Sequence, residues 1–300
     1  MGKIVIVGSI NMDYTAMVSK LPVVGETLLA YDYQMSGGGK GANQAIAASI
    51  FSDQVIMIGM LGDDIAGHAI FDTMSAHGID MSNVEFCDVP TGTALINVDS
   101  QGRNTIVVYP GANNQLTEEV ILKHKKIIQS ADIVLIQLEI PMKTVIKVAE
   151  IAKQANVPVL LNPSPAQKLD EALLKNVTYI TPNETELLRL VNALETFKGA
   201  HILRNMGVKN IIITLGARGC YFKTDDQEIR VESFKVNAID TTAAGDAFSG
   251  ALAAQLAKGV EIRQALTIAN ATGALTTTKI GAQEAMPSLD EVMALVKTRQ

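Results

Sequence analysis

Short β-branched, apolar runs alternate along most of this chain with stretches in which apolar residues recur every three or four positions. The runs predict strands over 4–7, 55–58, 133–136, 157–161, 177–180 and 210–214. The periodic stretches predict helices over 43–52, 65–76, 118–129, 143–154, 185–194 and 196–206. Strand alternating with helix argues for an α/β fold, a mainly parallel sheet with helices on both faces. Further helices are expected over 247–257, 262–277 and 289–298, and an antiparallel strand pair from 220–224 and 230–234.

Two regions break the alternation. Residues 15–35 and 92–109 are extended and turn-rich, with no helix between their strands. The second reads as a hairpin, 94–98 and 105–109, about the turn Asp99-Ser-Gln-Gly102. Both regions leave and rejoin the main domain. The expected organisation is an α/β domain from 1–12, 38–91 and 110–300, with 13–37 and 92–109 inserted as a small antiparallel β lid. A lid with one apolar face needs something to cover, either a substrate or another subunit.

Composition narrows the function. Three hundred residues, 48% of them hydrophobic, can bury a large core. A net charge of −6 without a Lys/Arg cluster argues against nucleic acid as a partner. A negative chain that handles phosphate must concentrate positive field locally, at helix ends and bound metals. Cys87 and Cys220 are too few for a disulfide framework or a zinc site, and His68, His77, His124 and His201 fall in no metal-ligand spacing. No apolar stretch approaches the roughly 18 residues of a membrane span, and the run over 3–8 is too short for a signal peptide. A soluble, cytoplasmic protein is expected.

The unusual polar residues gather at strand ends. Gly8-Ser-Ile-Asn-Met-Asp13, Gln137-Leu-Glu139, Asn162-Pro-Ser-Pro165, Thr181-Pro-Asn-Glu-Thr-Glu186 and Thr214-Leu-Gly-Ala-Arg-Gly219 each follow a predicted parallel strand. Open α/β sheets bind ligands at that edge. Asn11 and Asp13, two apart in an extended segment, share a face and suit vicinal hydroxyls; an Asx turn uses the same residues. Glu139 fits either a hydroxyl contact or the start of the next helix. In Met35-Ser-Gly-Gly-Gly-Lys-Gly-Ala-Asn43, Lys40 is followed by Gly41, which excludes a nucleoside-triphosphate P-loop. Its bare backbone at Gly38 and Gly39, with donors on Lys40 and Asn43, suits either a small polyol or a hinge. Gly8-Ser lacks the further glycines of a dinucleotide fingerprint. Asn183 and Glu186, three apart, fit equally the water shell of Mg²⁺ or a capping box. The small residues of Thr214, Gly216, Ala217 and Gly219 allow an adenosine to lie across the backbone, or simply make a β-turn.

The sharpest feature is Asp240-Thr-Thr-Ala-Ala-Gly-Asp246, which opens into the apolar-periodic run over 247–257. Ala243, Ala244 and Gly245 leave amides bare at a helix N-terminus, whose unpaired donors and partial positive charge suit a phosphate. Asp246 places a carboxylate beside that anion hole, where a base would deprotonate an attacking hydroxyl. The plainer account is a capped helix with an acid in its first turn, worth about 0.3–1 kcal/mol.

Together these residues resemble the ribokinases of the phosphofructokinase-B-type carbohydrate kinase family. The matching motifs run in order from Gly8–Asp13 through Gly38–Gln44, Thr181–Glu186, Thr214–Gly219 and Asp240–Asp246 to Gly281-Ala-Gln283, nearly the whole chain. The resemblance implies a ribokinase-like fold and ATP-dependent phosphorylation of D-ribose at its 5-hydroxyl. It implies Asp246 as catalytic base and the amides of Ala243, Ala244 and Gly245 as anion hole. Sugar contacts fall to Asn11, Asp13, Gly39, Lys40, Asn43 and Glu139. Nucleotide contacts fall to Asn183, to Thr214, Gly216, Ala217 and Gly219, and to Asn270, with Glu186 in the Mg²⁺ shell. A monovalent cation, usually K⁺, is implied at Asp240, Thr242, Thr276, Lys279, Gly281 and Ala285, mostly through main-chain carbonyls. Ala285 stands where relatives often carry serine. Pairing of two subunits through the lid is implied as well. The alternatives are a kinase of the same fold for deoxyribose, another sugar or a nucleoside, and a sugar-binding regulator without catalysis.

Overall fold

The computed structural model describes residues 2–193 and 195–299, with Phe197 by its backbone only. Leu194, where the helix predicted over 185–194 ends, lies outside the described residues.

Nine strands form the main sheet, in the order β13-β12-β11-β10-β9-β8-β1-β4-β5. They are β1 (Ile4–Val7), β4 (Val55–Gly62), β5 (Asp80–Cys87), β8 (Ile133–Ile136), β9 (Val159–Leu161), β10 (Tyr179–Ile180), β11 (Asn210–Thr214), β12 (Cys220–Lys223) and β13 (Glu228–Val231). All neighbours from β5 to β11 run parallel, and β12 and β13 close the far edge as an antiparallel pair. β1 and β8 are buried on both faces, as a central parallel strand must be. Side chains alternate across β1: Ile4 and Ile6 join one apolar layer, Val5 and Val7 the other. The first layer takes its helical partners from Lys40–Ser49, Ala244–Ala257 and Ile262–Thr276, the second from Met142–Gln154.

After β1 the chain moves to β4 and β5 on one side, and later returns to β8 on the other. The loops leaving β1 and β8 therefore part in opposite directions and open a crevice at the carboxyl edge, a topological switch point.

β5 has no counterpart among the strands that the sequence pattern predicts. It is an edge strand with Asp80, Ser82, Asn83 and Glu85 among its residues, and only part of it is buried. The helix expected over 118–129 is two short helices, Glu118–Lys123 and Lys125–Gln129, broken at His124.

A second sheet has the order β3-β2-β6-β7, from β2 (Asn11–Val18), β3 (Asp32–Gly38), β6 (Gly92–Asp99) and β7 (Asn104–Tyr109). It is mixed rather than antiparallel: β2 pairs with β6 in parallel, from Asn11↔Gly92 to Val18↔Asp99. The reason is geometric. β2 continues outward from β1, and β6 from β5, so both leave the same edge of a parallel sheet in the same direction. One of its faces is rich in exposed apolar residues, Tyr33, Met35, Leu95, Val107 and Tyr109. Among the described residues no helix is long and apolar enough to cross a membrane.

Candidate active site

The helix Ala244–Ala257 begins without a side-chain cap, behind Ala243 in the left-handed conformation (φ 57°). Its first amides are thus held by local backbone alone. The amide of Ala244 donates to the carbonyl of Thr241 at 3.3 Å, a long bond. Among the described residues nothing accepts from the amides of Ala243, Gly245 or Asp246. A side-chain carbon at Gly245 would meet no atom within 4 Å, so there is open space beside that residue. Two of the three expected anion-hole amides are therefore free, while that of Ala244 is already engaged.

Asp246 is buried, at 6% exposure, and each of its oxygens accepts from a neutral amide. Asn43 Nδ2 donates to Oδ2 at 3.1 Å and Gln44 Nε2 to Oδ1 at 2.9 Å. Behind these stand two more amides: Gln137 Nε2 donates to Gln44 Oε1 at 2.7 Å, and Gln283 Nε2 to Asn43 Oδ1 at 3.3 Å. The sequence motifs contain Gln44, Gln137 and Gln283, yet spacing assigns them no role. Their signal is position alone, each lying within or beside a motif that ends at the crevice.

The helix Lys40–Ser49 brings Asn43 and Gln44 to this point. It starts behind Gly39, whose φ of 85° and whose contacts admit no side chain: a Cβ there would lie 2.8 Å from the Asn11 amide nitrogen. The first amide, of Lys40, donates to Glu139 Oε2 at 3.0 Å, and Ser9 Oγ donates to the same oxygen at 2.6 Å. Glu139 therefore caps the helix Lys40–Ser49 rather than the helix that follows it in the chain.

Asn11 opens β2 and does not form an Asx turn; its Oδ1 accepts from Asn113 Nδ2 at 2.7 Å. Asn113, which no sequence motif marks, also exchanges hydrogen bonds with the backbone of Ile10. Two residues on, Asp13 presents a buried Oδ1 that has no protein partner. A Cβ at Gly38 would lie 2.2 Å from the Asp13 carboxylate, so that glycine makes room for the acid. Burial, with Glu139, Glu284 and Asp246 adding repulsion, pushes the Asp13 carboxyl up to about 7. Lys40 answers this negative field. Burial works against its charge, but Asp246, Glu139 and Glu186 outweigh it and hold its ammonium above the usual range. Asn11, Asp13, Gly39, Lys40, Asn43, Glu139 and Asp246 thus converge on one crevice.

The second group lies across the same sheet edge, and its side chains hold the fold. Asn183 and Glu186 form the capping box: Asn183 Oδ1 accepts from the Glu186 amide at 2.8 Å and Glu186 Oε2 from the Asn183 amide at 2.9 Å. Thr214 bridges to Asn183, and Gly216–Arg218 make a turn of 3₁₀ helix that exposes Gly216 and Ala217. Gly219 (φ 92°) packs against the Val231 carbonyl, which would lie 2.0 Å from a Cβ there. Asn270 donates to that same carbonyl at 3.2 Å and to Cys220 Sγ at 3.4 Å, tying its helix to β12 and β13.

Of the last predicted group, Thr242 and Gly281 bond to Asp240. Its Oδ1 accepts from the amide and hydroxyl of Thr242 at 2.9 and 2.7 Å, and its Oδ2 from the Gly281 amide at 3.0 Å. The Lys279 ammonium turns away to Glu291, and Thr276 and Ala285 are fully buried. A separate 540 Å³ cavity between Met12, Met35, Ile46, Ile70 and Met286 meets the Asp246 network only at Gln283.

The profile of the pfkB family carbohydrate kinases matches residues 1–289. The chain belongs to this family. As a pfkB-family carbohydrate kinase it is a sugar kinase. It is 40% identical to a ribokinase of Staphylococcus aureus, over 97% of this chain and 98% of that one. It is 35% identical to a deoxyribokinase of Salmonella typhi, over 96% of each chain. The structure of Arabidopsis thaliana ribokinase complexed with ribose and ATP superimposes with a TM-score of 0.92 at 31% identity, covering 99% of both chains.

Proposed function

We propose that this sugar kinase transfers the terminal phosphate of ATP to the 5-hydroxyl of D-ribose, giving ribose 5-phosphate and ADP. The observation that carries the reading is Asp246: a buried carboxylate, held at both oxygens, beside free helix-end amides. The ribokinase relative at 40% identity and the ribose-bound structural neighbour support the choice of sugar. In the reaction Asp246 takes the proton of the attacking hydroxyl as its oxygen bonds to phosphorus. The bond from phosphorus to the bridging oxygen breaks, and ADP leaves with that electron pair. The amides of Ala243 and Gly245 meet the migrating negative charge, in a site where preorganised donors act strongly. Asp13, with its partnerless oxygen, and Asn11 accept and donate to the sugar hydroxyls; Asn43 and Lys40 complete that contact.

Asn183, Asn270 and the backbone of 214–219 are assigned to the nucleotide. Mg²⁺ favours oxygen ligands, keeps several waters, and supplies charge neutralisation on the phosphates. Glu186 fits it through Oε1, since Oε2 caps its own helix. A monovalent cation such as K⁺ fits beside the anion hole only through main-chain oxygens of Asp240, Thr242, Thr276, Lys279, Gly281 and Ala285. The Asp240 carboxylate is already bonded, and Ala285 offers no hydroxyl. The exposed apolar lid is assigned to a second copy of the chain, and the enzyme to the cytoplasm, where ATP is made available to it.

The deoxyribokinase relative favours a second substrate, 2-deoxy-D-ribose. A coupled ADP-release assay across pentoses, hexoses and nucleosides, with K⁺ or Na⁺, separates the two. The expected result is the highest kcat/KM with D-ribose, raised by K⁺. A preference for the deoxy sugar overturns the substrate, and the absence of ADP release with every sugar overturns the catalytic reading in favour of a binding protein.

A further inference from the structure

Asn43 is assigned to the sugar as well as bonding Asp246, but Gln44 does not reach the crevice: it is 0% exposed and bonds Asp246 from within the protein. Its partner Gln137, at the end of β8, is likewise 0% exposed. Such a pair of buried amides is costly unless it is bonded, and here its direction is dictated chemically. A carboxylate only accepts, so Gln44 must turn its NH₂ to Asp246 and its carbonyl away. That carbonyl then needs a donor, and Gln137 Nε2 supplies it at 2.7 Å. Gln137 Oε1, which has no hydrogen-bond partner among the described residues, lies against Gly8, where a Cβ would be 1.9 Å from it. The chain Gln137–Gln44–Asp246 thus joins the strand end of β8, the helix Lys40–Ser49 and the helix Ala244–Ala257. Neither amide titrates, so the strut keeps one polarity at every working pH.

We propose that Gln44, oriented by Gln137, is a positioning residue for phosphoryl transfer. It fixes the plane of the Asp246 carboxylate so that a lone pair stays aimed at the acceptor hydroxyl. The proposal rests on the reading of Asp246 as base.

The test is steady-state kinetics with ribose and ATP, together with ribose binding by calorimetry. The variants are Gln44→Met, Gln137→Met, Asp246→Asn and the double variant Gln44→Met with Asp246→Asn. Methionine keeps the length and removes the donor. Gln44→Met is expected to lower kcat about 10- to 100-fold, the usual cost of misplacing a reacting group, with ribose affinity unchanged. Gln137→Met lowers kcat in the same way by less, and it carries the test should Gln44→Met fail to fold. In the Asp246→Asn background Gln44→Met causes no further loss, because residues that act as a unit are not additive. A wild-type kcat in both methionine variants overturns the positioning role. So does an equal further loss in the double variant, or weakened ribose binding, each of which marks a merely structural part. Wild-type turnover in Asp246→Asn instead overturns the base itself, a different failure that the single variant reveals.

Discussion

The two halves of the crevice are made from the same sheet edge by opposite means. On the side assigned above to the sugar, polar side chains converge, and one of them, Asp13, keeps a buried oxygen without a protein partner. On the side assigned to the nucleotide, Asn183, Glu186 and Asn270 are tied to the protein's own backbone, beside the exposed turn at Gly216 and Ala217. A side-chain site is specific and fragile, since each group is unique and costly to strand. A main-chain site is tolerant, because substitution rarely removes an amide or a carbonyl, and its side chains act through stability.

The hardest blow to this contrast is Asp246→Asn. It removes the proposed base at nearly constant shape: one of the two donors, Asn43 or Gln44, keeps an oxygen to donate to, and the other meets an NH₂. Turnover is expected to fall on the order of 10²–10⁴, the usual share of a positioned base, with ribose still bound. Steady-state kinetics and calorimetry together check it. A drop confined to KM would mean that position 246 binds rather than reacts.

Asp13→Asn sharpens the sugar side by a smaller effect. It replaces an acceptor-only group by one that also donates, so a sugar hydroxyl loses part of its match. The expected weakening of ribose binding is roughly tenfold, from about 1–3 kcal/mol for a broken buried hydrogen bond. The same variant reads out the charge state. In the folded chain the Asp13 carboxyl titrates at about 7, against 3.8 ordinarily. Between those values the folded protein holds a proton that the unfolded chain has released. Stability contributed by Asp13 is therefore full below about 3.8 and is lost as pH rises towards about 7. Denaturant midpoints of the unliganded protein should show this decline between those values, and Asp13→Asn should flatten it. An unchanged slope would mean that the acid is solvated or paired in solution.

The same contrast governs what the chain reveals before it is folded. β1, β8 and β11 are legible to the residue because central strands are short, continuous apolar runs. β5 escapes notice because an edge strand, with polar residues interspersed, has no such run. The parallel pairing of β2 with β6 is equally hidden, since it joins Asn11 to Gly92 across the whole of β4 and β5. In the site, Asp246 and the glycine-lysine motif announce themselves by residue type in a local pattern. Gln44, Gln137, Gln283 and Asn113 do not, because each acts on a side chain distant in sequence. Asn183 and Glu186 stand between these cases. Their spacing fits a metal shell and a capping box alike, and the folded helix forms the box.

Asn183→Ala is the mildest test and the one that most directly probes the tolerant half. Losing the N-cap should destabilise the chain by about 1 kcal/mol, the typical cost of removing such a cap. Asn183→Asp, which retains the accepting oxygen, should recover most of that loss. Thermal denaturation of the three proteins measures it. Turnover at saturating ATP should barely change, because a folded backbone still presents the turn at 214–219 to the nucleotide. If instead Asn183→Ala left stability intact and raised the KM for ATP severalfold, the side chain would be a nucleotide ligand first and a cap second. The nucleotide half would then be built on the same principle as the sugar half, and the distinction between them would rest on Asn270 and Gly219 alone.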